Sequence, residues 1–274
     1  EKLALSPKGI KKTSTKGIST QASELAKLRG MHPIIEPLFK YRELSKLSST
    51  YISVLPGLAD AGHRIHTTFQ QTGTTTGRLS SSDPNLQNIP IRTELGRKVR
   101  SAFIADSGYH LVSFDYSQLE LRIAAALSED KKLTTAFREK QDIHTRTASE
   151  IFHVPSGEVT AEMRRRAKTI NFGILYGMGA RALAQGMGVS FEEAQGYLAE
   201  YLKEFPGIEE YRERITAFGR AKGYVETVFG RRRYLPNLKS RFDYVRAEAD
   251  RMAMNAPIQG TEADLIKRAM VRNW

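Results

Sequence analysis

The stretch from Ala161 to Tyr176 constrains the fold most. It reads as a strong helix, carrying Arg164, Lys168, Phe172 and Tyr176 at a four-residue spacing until Gly177-Met178-Gly179 stops it. Comparable helical blocks are expected over Leu119 to Leu127, Phe191 to Lys203, Ile208 to Lys222 and Tyr244 to Asn255. Thr261-x-x-Asp264 resembles a capping box that starts a last helix. Between these blocks lie only short runs that read as strands, and no internal repeat is visible. Long helical blocks separated by short strands predict an α+β fold rather than a regular βαβ array.

The first part of the chain reads differently. Residues 1–30 hold few large apolar side chains, so a largely exposed lead-in containing a short helix, Ala22 to Leu28, is expected. Its basic run, Lys8, Lys11, Lys12 and Lys16, suits either a solvated face or a contact with phosphate. From Pro37 to Leu55 the residues Leu38, Tyr41, Leu44, Leu47, Tyr51 and Leu55 recur every three or four positions, predicting an amphipathic helix closed by Pro56-Gly57. Strands are expected at His63 to Thr68 and at Tyr109 to Phe114, the second with Asp115 at its end. Tyr224 to Val228 and Arg233 to Leu235 flank Phe229-Gly230-Arg231-Arg232 as a hairpin.

Charge narrows the partner. Lys and Arg number 42 against 30 acidic residues in 274, a formal charge of +12. That balance suits a polyanionic partner such as nucleic acid, or a protein that is simply basic. The absence of Cys excludes disulfide frameworks and thiolate zinc sites. No apolar run approaches the roughly 20 residues that span a bilayer, and Glu1-Lys2-Leu3-Ala4 is no signal peptide. A cytoplasmic protein without a membrane partner is expected.

Three constellations carry chemistry. On a helix each step of four residues advances about 40°, so Arg164, Lys168, Phe172 and Tyr176 wind slowly along one face. Two cations followed by two aromatics can hold phosphates at one end and stack a base at the other; the same pattern also fits a solvated face joined to a packed one. Asp115, in Phe114-Asp115-Tyr116-Ser117-Gln118-Leu119-Glu120, can ligate Mg²⁺ or cap a helix. The long loop from Thr76 to Pro90 carries Arg78, Asn85, Gln87 and Asn88, and Arg251, Asn255 and Gln259 are candidates to join it in space. Donors of these types can touch the acceptors that every base pair shows in the minor groove, checking pair shape without reading sequence. Turn formation and a helix surface are the plainer explanations. His63 and His66 lack further zinc ligands, Gly177 to Gly188 lacks the Lys and Ser/Thr of a phosphate loop, and no Gly-x-Ser-x-Gly motif is present.

Together Thr76 to Pro90, Ser113 to Arg122, Arg164 to Gly179 and Arg251 to Gly260 resemble, in order and separation, the motifs of family A DNA polymerases, the bacterial DNA polymerase I group in particular. The resemblance extends through Tyr41 to Leu47 and Gly223 to Pro236. It implies a right-hand architecture: residues 1–60 end the thumb, 61–128 build the first part of the palm, 129–240 form the fingers, and 241–274 return to the palm. It implies that Asp115 and the Tyr116 carbonyl bind metal, with two Mg²⁺ in the complete enzyme. Arg164, Lys168 and His144 would hold the triphosphate, Lys168 acting in catalysis beside Asp115. Phe172, Tyr176 and Gln118 would contact the nucleotide, and Glu120 would exclude a ribose 2′-hydroxyl. Arg78, Asn85, Gln87, Asn88, Arg251, Asn255 and Gln259 would line the primer-template minor groove. Primer-template DNA and deoxynucleoside triphosphates (dNTPs) are the implied partners of a monomer working in DNA replication or repair.

One departure qualifies this. The family's later His-Asp-Glu motif, which brings a second metal-binding Asp, does not occur before Trp274. The chain therefore reads as an excerpt, nearly inactive alone, with apolar surface left uncovered where further palm strands would lie. A non-catalytic primer-template-binding module is the rival reading. A single-subunit RNA polymerase is a second, against which Glu120 and Phe172 speak.

Overall fold

The computed structural model describes Gly9–Arg272 except Ser14, Lys16 and Arg92. Lys8 and Lys16 of the basic run therefore lie outside the described residues. The chain divides into two compact units, Glu1–Phe69 with Ser81–Val112, and Gln70–Ser80 with Ser113–Trp274.

In the first unit, α1 (Ala22–Leu25) runs into a 3-10 turn, Ala26–Leu28, as the short helix was expected to run. Leu25, Leu28 and Ile35 bury one another. α2 (Ile35–Leu47) passes into a π-helical turn, Ser48–Ile52, and then a 3-10 turn, Leu55–Leu58, so the regular helix ends before Leu55. Leu47, Tyr51 and Leu55 of its apolar stripe are buried with Ile65, Leu86 and Val99, whereas Tyr41 and Leu44 of the same stripe are exposed. α3 (Glu94–Ser101) starts at Thr93, whose Oγ1 accepts from Gly96 N at 3.1 Å.

The expected strand at His63 to Thr68 is not formed over most of that length. Asp60 Oδ1 accepts from Gly62 N at 2.8 Å and Arg64 N at 2.9 Å, and His63 is left-handed at φ 59°. A carboxylate that captures local N–H groups competes with a strand ladder. Pairing begins only at β1 (Thr68–Gln70), whose partner is β2 (Ser80–Ser82).

The second unit is helical, and most expected boundaries hold within a few residues. It contains α4 (Leu119–Ser128), α5 (Lys131–Arg138), α6 (Ile143–Phe152), α7 (Ala161–Leu175), α8 (Ala180–Met187), α9 (Phe191–Glu204) and α10 (Pro206–Lys222). β3 (Tyr224–Glu226) and β4 (Arg232–Tyr234) pair antiparallel with Tyr224 opposite Tyr234, the expected hairpin. α11 (Asp243–Arg272) closes the unit. Its core joins Leu121 of α4, Ile143 of α6, Ile170 and Ile174 of α7, Tyr201 of α9 and Ile258 of α11. The α+β class is thus correct, with helices dominating two small ribbons.

Two expectations fail here. Tyr109 to Phe114 forms no strand, and Leu111, Val112 and Phe114 are exposed, Phe114 by 93%. A strand needs a ladder partner and a covered face, and neither is present among the described residues. Asp115 therefore follows an extended segment rather than a sheet. The second failure is the break before Thr261, because α11 continues through Pro257 and Thr261. Proline in a helix interior removes one hydrogen bond and ordinarily kinks or ends it. Here Ala253, Met254, Ala256, Pro257, Ile258 and Gly260 are all buried, and their packing outweighs that loss. Thr261 Oγ1 instead accepts from Val228 N at 3.0 Å, and Asp264 pairs with Arg231 at 2.9 Å. No described helix is long and apolar enough to cross a membrane.

Candidate active site

α7 presents the sequence strip as expected. Thr160 Oγ1 caps it, accepting from Met163 N at 3.2 Å, and Gly177 follows its last turn at φ 70°. Arg164 and Lys168 are exposed, whereas Phe172 and Tyr176 are half-buried with ring centroids 6.1 Å apart. Arg164 Nε donates to Asp142 Oδ2 at 2.6 Å. Asp142 also caps α6, accepting from His144 N and Thr145 Oγ1. Desolvation would raise the Asp142 carboxyl, but these donors, Arg164 foremost, hold it down at about 2.

His144 lies beneath this strip rather than on it. It is buried, its ring centroid 5.9 Å from that of Phe172. Asn171 Nδ2 lies 3.1 Å from its Nδ1, and Asn171 Oδ1 accepts from Thr147 Oγ1 at 3.1 Å. With Nδ1 as acceptor, the ring is the neutral Nε2–H tautomer. Burial pushes its pKa down to about 4, with Arg164 and Lys168 adding to the effect and Asp142 opposing it.

Beside the aromatic end of α7 lies a cavity of about 170 Å³ lined by Asp115, Tyr116, Gln118, Leu119, Glu120, Phe172, Glu262 and Ile266. It brings Asp115 and Phe172, far apart in sequence, to one space. Asp115 is exposed and does not cap α4, whose N-cap is Gln118 in left-handed conformation. Glu120 is buried: Tyr176 Oη donates to its Oε2, and Arg78 Nη2 donates to its Oε1 at 2.6 Å. Desolvation raises the Glu120 carboxyl and the Glu262 charge adds to it, against the donors Tyr176 and Arg78. Burial and Glu120 likewise raise the Tyr176 phenol. Arg78 Nη2 reaches Glu262 Oε2 as well.

The donors grouped as a minor-groove set are divided. Arg251, Asn255 and Gln259 follow one another along α11. Arg251 Cγ packs so closely on Gly177 that an added Cβ there would lie 2.8 Å away, and Asn255 Nδ2 reaches Tyr176 O at 3.4 Å. Asn255 Oδ1 is buried without a partner among the described residues. Asn85, Gln87 and Asn88 belong to the first unit, where Asn85 Oδ1 accepts from Gln87 N at 3.0 Å and Asn88 O accepts from Tyr51 Oη.

This arrangement has a match among known proteins. The family described as DNA polymerase family A matches residues 1–273. The chain belongs to that family. Among its relatives is "DNA polymerase I, thermostable" of Thermus aquaticus, 55% identical over 93% of this chain and 31% of the relative. DNA polymerase I of Bacillus subtilis is 48% identical over 96% of this chain and 30% of the relative. The chain thus spans about a third of the length of these curated relatives. A solved structure, the POL domain of Pol1 from M. smegmatis in complex with DNA primer-template and dNTP, superposes with a TM-score of 0.87 at 46% identity. That match covers 96% of this chain and 46% of the solved one.

Sequence reading missed Asp142, Asn171 and Glu262, and gave Arg231 and Asp264 only a hairpin and a capping place rather than the ion pair they form. Asp142 carried a usable signal, an Asp directly before a helix. The others act through residues distant in sequence, and no local pattern marks those contacts.

Proposed function

We propose that this chain belongs to a template-directed DNA polymerase that adds deoxynucleotides from dNTPs to a primer 3′-hydroxyl. The observation that carries the reading is the shared cavity of Asp115 and Phe172 at the aromatic end of a helix whose other end exposes Arg164 and Lys168. The solved relative bound to primer-template and dNTP supports the same substrates here.

In this reading the 3′-oxygen attacks the α-phosphate, a phosphodiester bond forms, and pyrophosphate leaves. Arg164 and Lys168 neutralise the triphosphate, and Phe172 packs on the incoming sugar and base. Tyr176 stands near the template base, and Glu120, ordered by Tyr176, rejects a ribose 2′-hydroxyl. Gln118, where α4 begins, supplies a further nucleotide contact. His144 supports the face from beneath Phe172, and with Nδ1 held by Asn171 its Nε2–H is the donor it offers the triphosphate. Arg78, Asn85, Gln87, Asn88, Arg251, Asn255 and Gln259 follow the minor groove, whose shared acceptors leave copying indifferent to sequence.

Asp115 and the Tyr116 carbonyl suit Mg²⁺, which takes one or two carboxylates and completes its shell with water and phosphate oxygens. The chemistry Mg²⁺ supplies when bound is activation of the hydroxyl and neutralisation of the phosphates. Among the described residues no group of three or more His, Asp or Glu gathers to hold a metal, and in this reading the motif resemblance makes Asp115 the metal-binding carboxylate. The assignment of residues 1–60 to the thumb, 61–128 and 241–274 to the palm and 129–240 to the fingers belongs to the same proposal, as does a monomeric enzyme of the cytoplasm.

The test is Mg²⁺-dependent primer extension with dNTPs by the 274-residue chain, by a longer protein carrying the following segment, and by its Asp115→Ala form. Extension confined to the longer protein with Asp115 intact is expected. Robust extension by the shorter chain would refute its predicted near-inactivity. A well-folded longer protein that binds primer-template yet extends nothing would establish a non-catalytic binding module instead.

A further inference from the structure

Glu262 was assigned no role by its sequence context, yet it reaches the side chain on which one of the proposed DNA contacts depends. We propose that Glu262 is a positioning residue for primer-template binding: with Glu120 it holds the Arg78 guanidinium and sets how readily that group turns to the minor groove. The inference rests on the reading of Arg78 given under Proposed function.

Glu120 and Glu262 accept from the same Arg78 nitrogen, Nη2. One cation thus stands between two carboxylates, a formal excess of one acidic group. Glu120 is already ordered, because Tyr176 Oη occupies its second oxygen. Glu262 stands three residues beyond Gln259 on the buried part of α11, so both ends of the contact are fixed.

The backbone under Arg78 is tied down as well. Arg231 Nη2 donates to Thr76 O at 2.6 Å and to Gly260 O at 3.0 Å, while its Nε donates to Asp264 Oδ1 at 2.9 Å. The loop is thereby pinned to α11 on either side of this contact. What remains free to change is the Arg78 side chain, which is 49% exposed. A guanidinium that leaves for base acceptors abandons two carboxylates, one of them 9% exposed, close to DNA phosphates. That cost weakens binding, and Glu262 contributes to it without touching DNA.

The test is a binding titration by fluorescence anisotropy with a labelled primer-template duplex and the full chain at physiological salt. Wild type, Glu262→Gln, Arg78→Ala and the double variant are compared, each after a thermal melt establishes folding. The expected result is that Arg78→Ala weakens binding and Glu262→Gln tightens it by about threefold to fivefold. In the Arg78→Ala background the same change should move affinity by less than about 1.5-fold. Glu262→Ala should act in the same direction as Glu262→Gln, which guards against an effect peculiar to one replacement.

Equal tightening in both backgrounds would mean only that a negative charge was removed near DNA, and would overturn the inference alone. Unchanged or weaker binding by Glu262→Gln, with Arg78→Ala still damaging, would overturn it too. If Arg78→Ala leaves affinity unchanged, the minor-groove role of Arg78 falls first and takes this inference with it.

Discussion

Arg164 Nε lies 2.6 Å from Asp142 Oδ2, joining the first cation of α7 to the N-cap of α6. Lys168, one turn further along α7, forms no ion pair among the described residues. The two cations expected to meet a triphosphate therefore start from different states, one partnered and one solvated.

This difference predicts the effect of Asp142→Asn. Asparagine caps a helix about as well as aspartate, so α6 should persist while Arg164 loses its counter-ion. Affinity for dNTP should rise by about twofold to fivefold at low salt and converge with wild type as salt is added. Equilibrium titration with a fluorescent dNTP analogue checks this, and a weaker binder with intact helicity would contradict it.

His144 predicts a pH dependence of stability. Its pKa is about 4 in the folded chain against 6.5 for the free group. Between those values the unfolded chain holds the extra proton, so stability falls as pH drops from about 6.5 towards 4 and is indifferent to this group above that window. Roughly 2–3 kcal/mol is at stake. Asp142, held at about 2, contributes in a separate window: its stabilisation is present above about pH 4 and is lost only as pH falls towards 2. Urea unfolding at pH 7 and pH 5 should show the His144 loss, and His144→Gln should flatten it.

The Arg231 fork predicts intolerance at two glycines. Gly77 has φ 79°, and a Cβ there would overlap Arg231 Cζ. A Cβ at Gly260 would lie 2.5 Å from Thr227 Cγ2 and 2.7 Å from Arg231 Nη2. Gly77→Ala and Gly260→Ala should each cost about 1–3 kcal/mol. Arg231→Lys should cost a similar amount, because an ammonium cannot reproduce bonds to Asp264, Thr76 O and Gly260 O in one plane. Thermal melts of the three variants check this, and melting temperatures equal to wild type would show that the fork is dispensable.

Asp115 predicts the opposite separation of function from stability. It is exposed and caps no helix, so Asp115→Ala should leave unfolding free energy within about 0.5 kcal/mol of wild type. The same change should abolish Mg²⁺-dependent extension by the longer protein. A large loss of stability would reveal a structural role that its position does not suggest.

What the chain itself determined is local. The helix carrying Arg164, Lys168, Phe172 and Tyr176 was legible from four-residue spacing and from Gly177 as a stop, because a helix satisfies its hydrogen bonds within one segment. The hairpin at Phe229 to Arg232 was legible for the same reason, and the family was legible because its motifs lie in order. Tertiary structure decided the rest. Tyr109 to Phe114 has strand-like composition but forms no strand, since a ladder depends on a partner elsewhere. α11 passes Pro257 because burial on the core outweighs one missing N–H. Arg78 meets Glu120, 42 residues away, and Glu262, 184 residues away. Such contacts depend on how helices pack and leave no periodic trace, so the chemistry-bearing side chains, Glu120 among them, were visible in sequence while their pairing with one another was not.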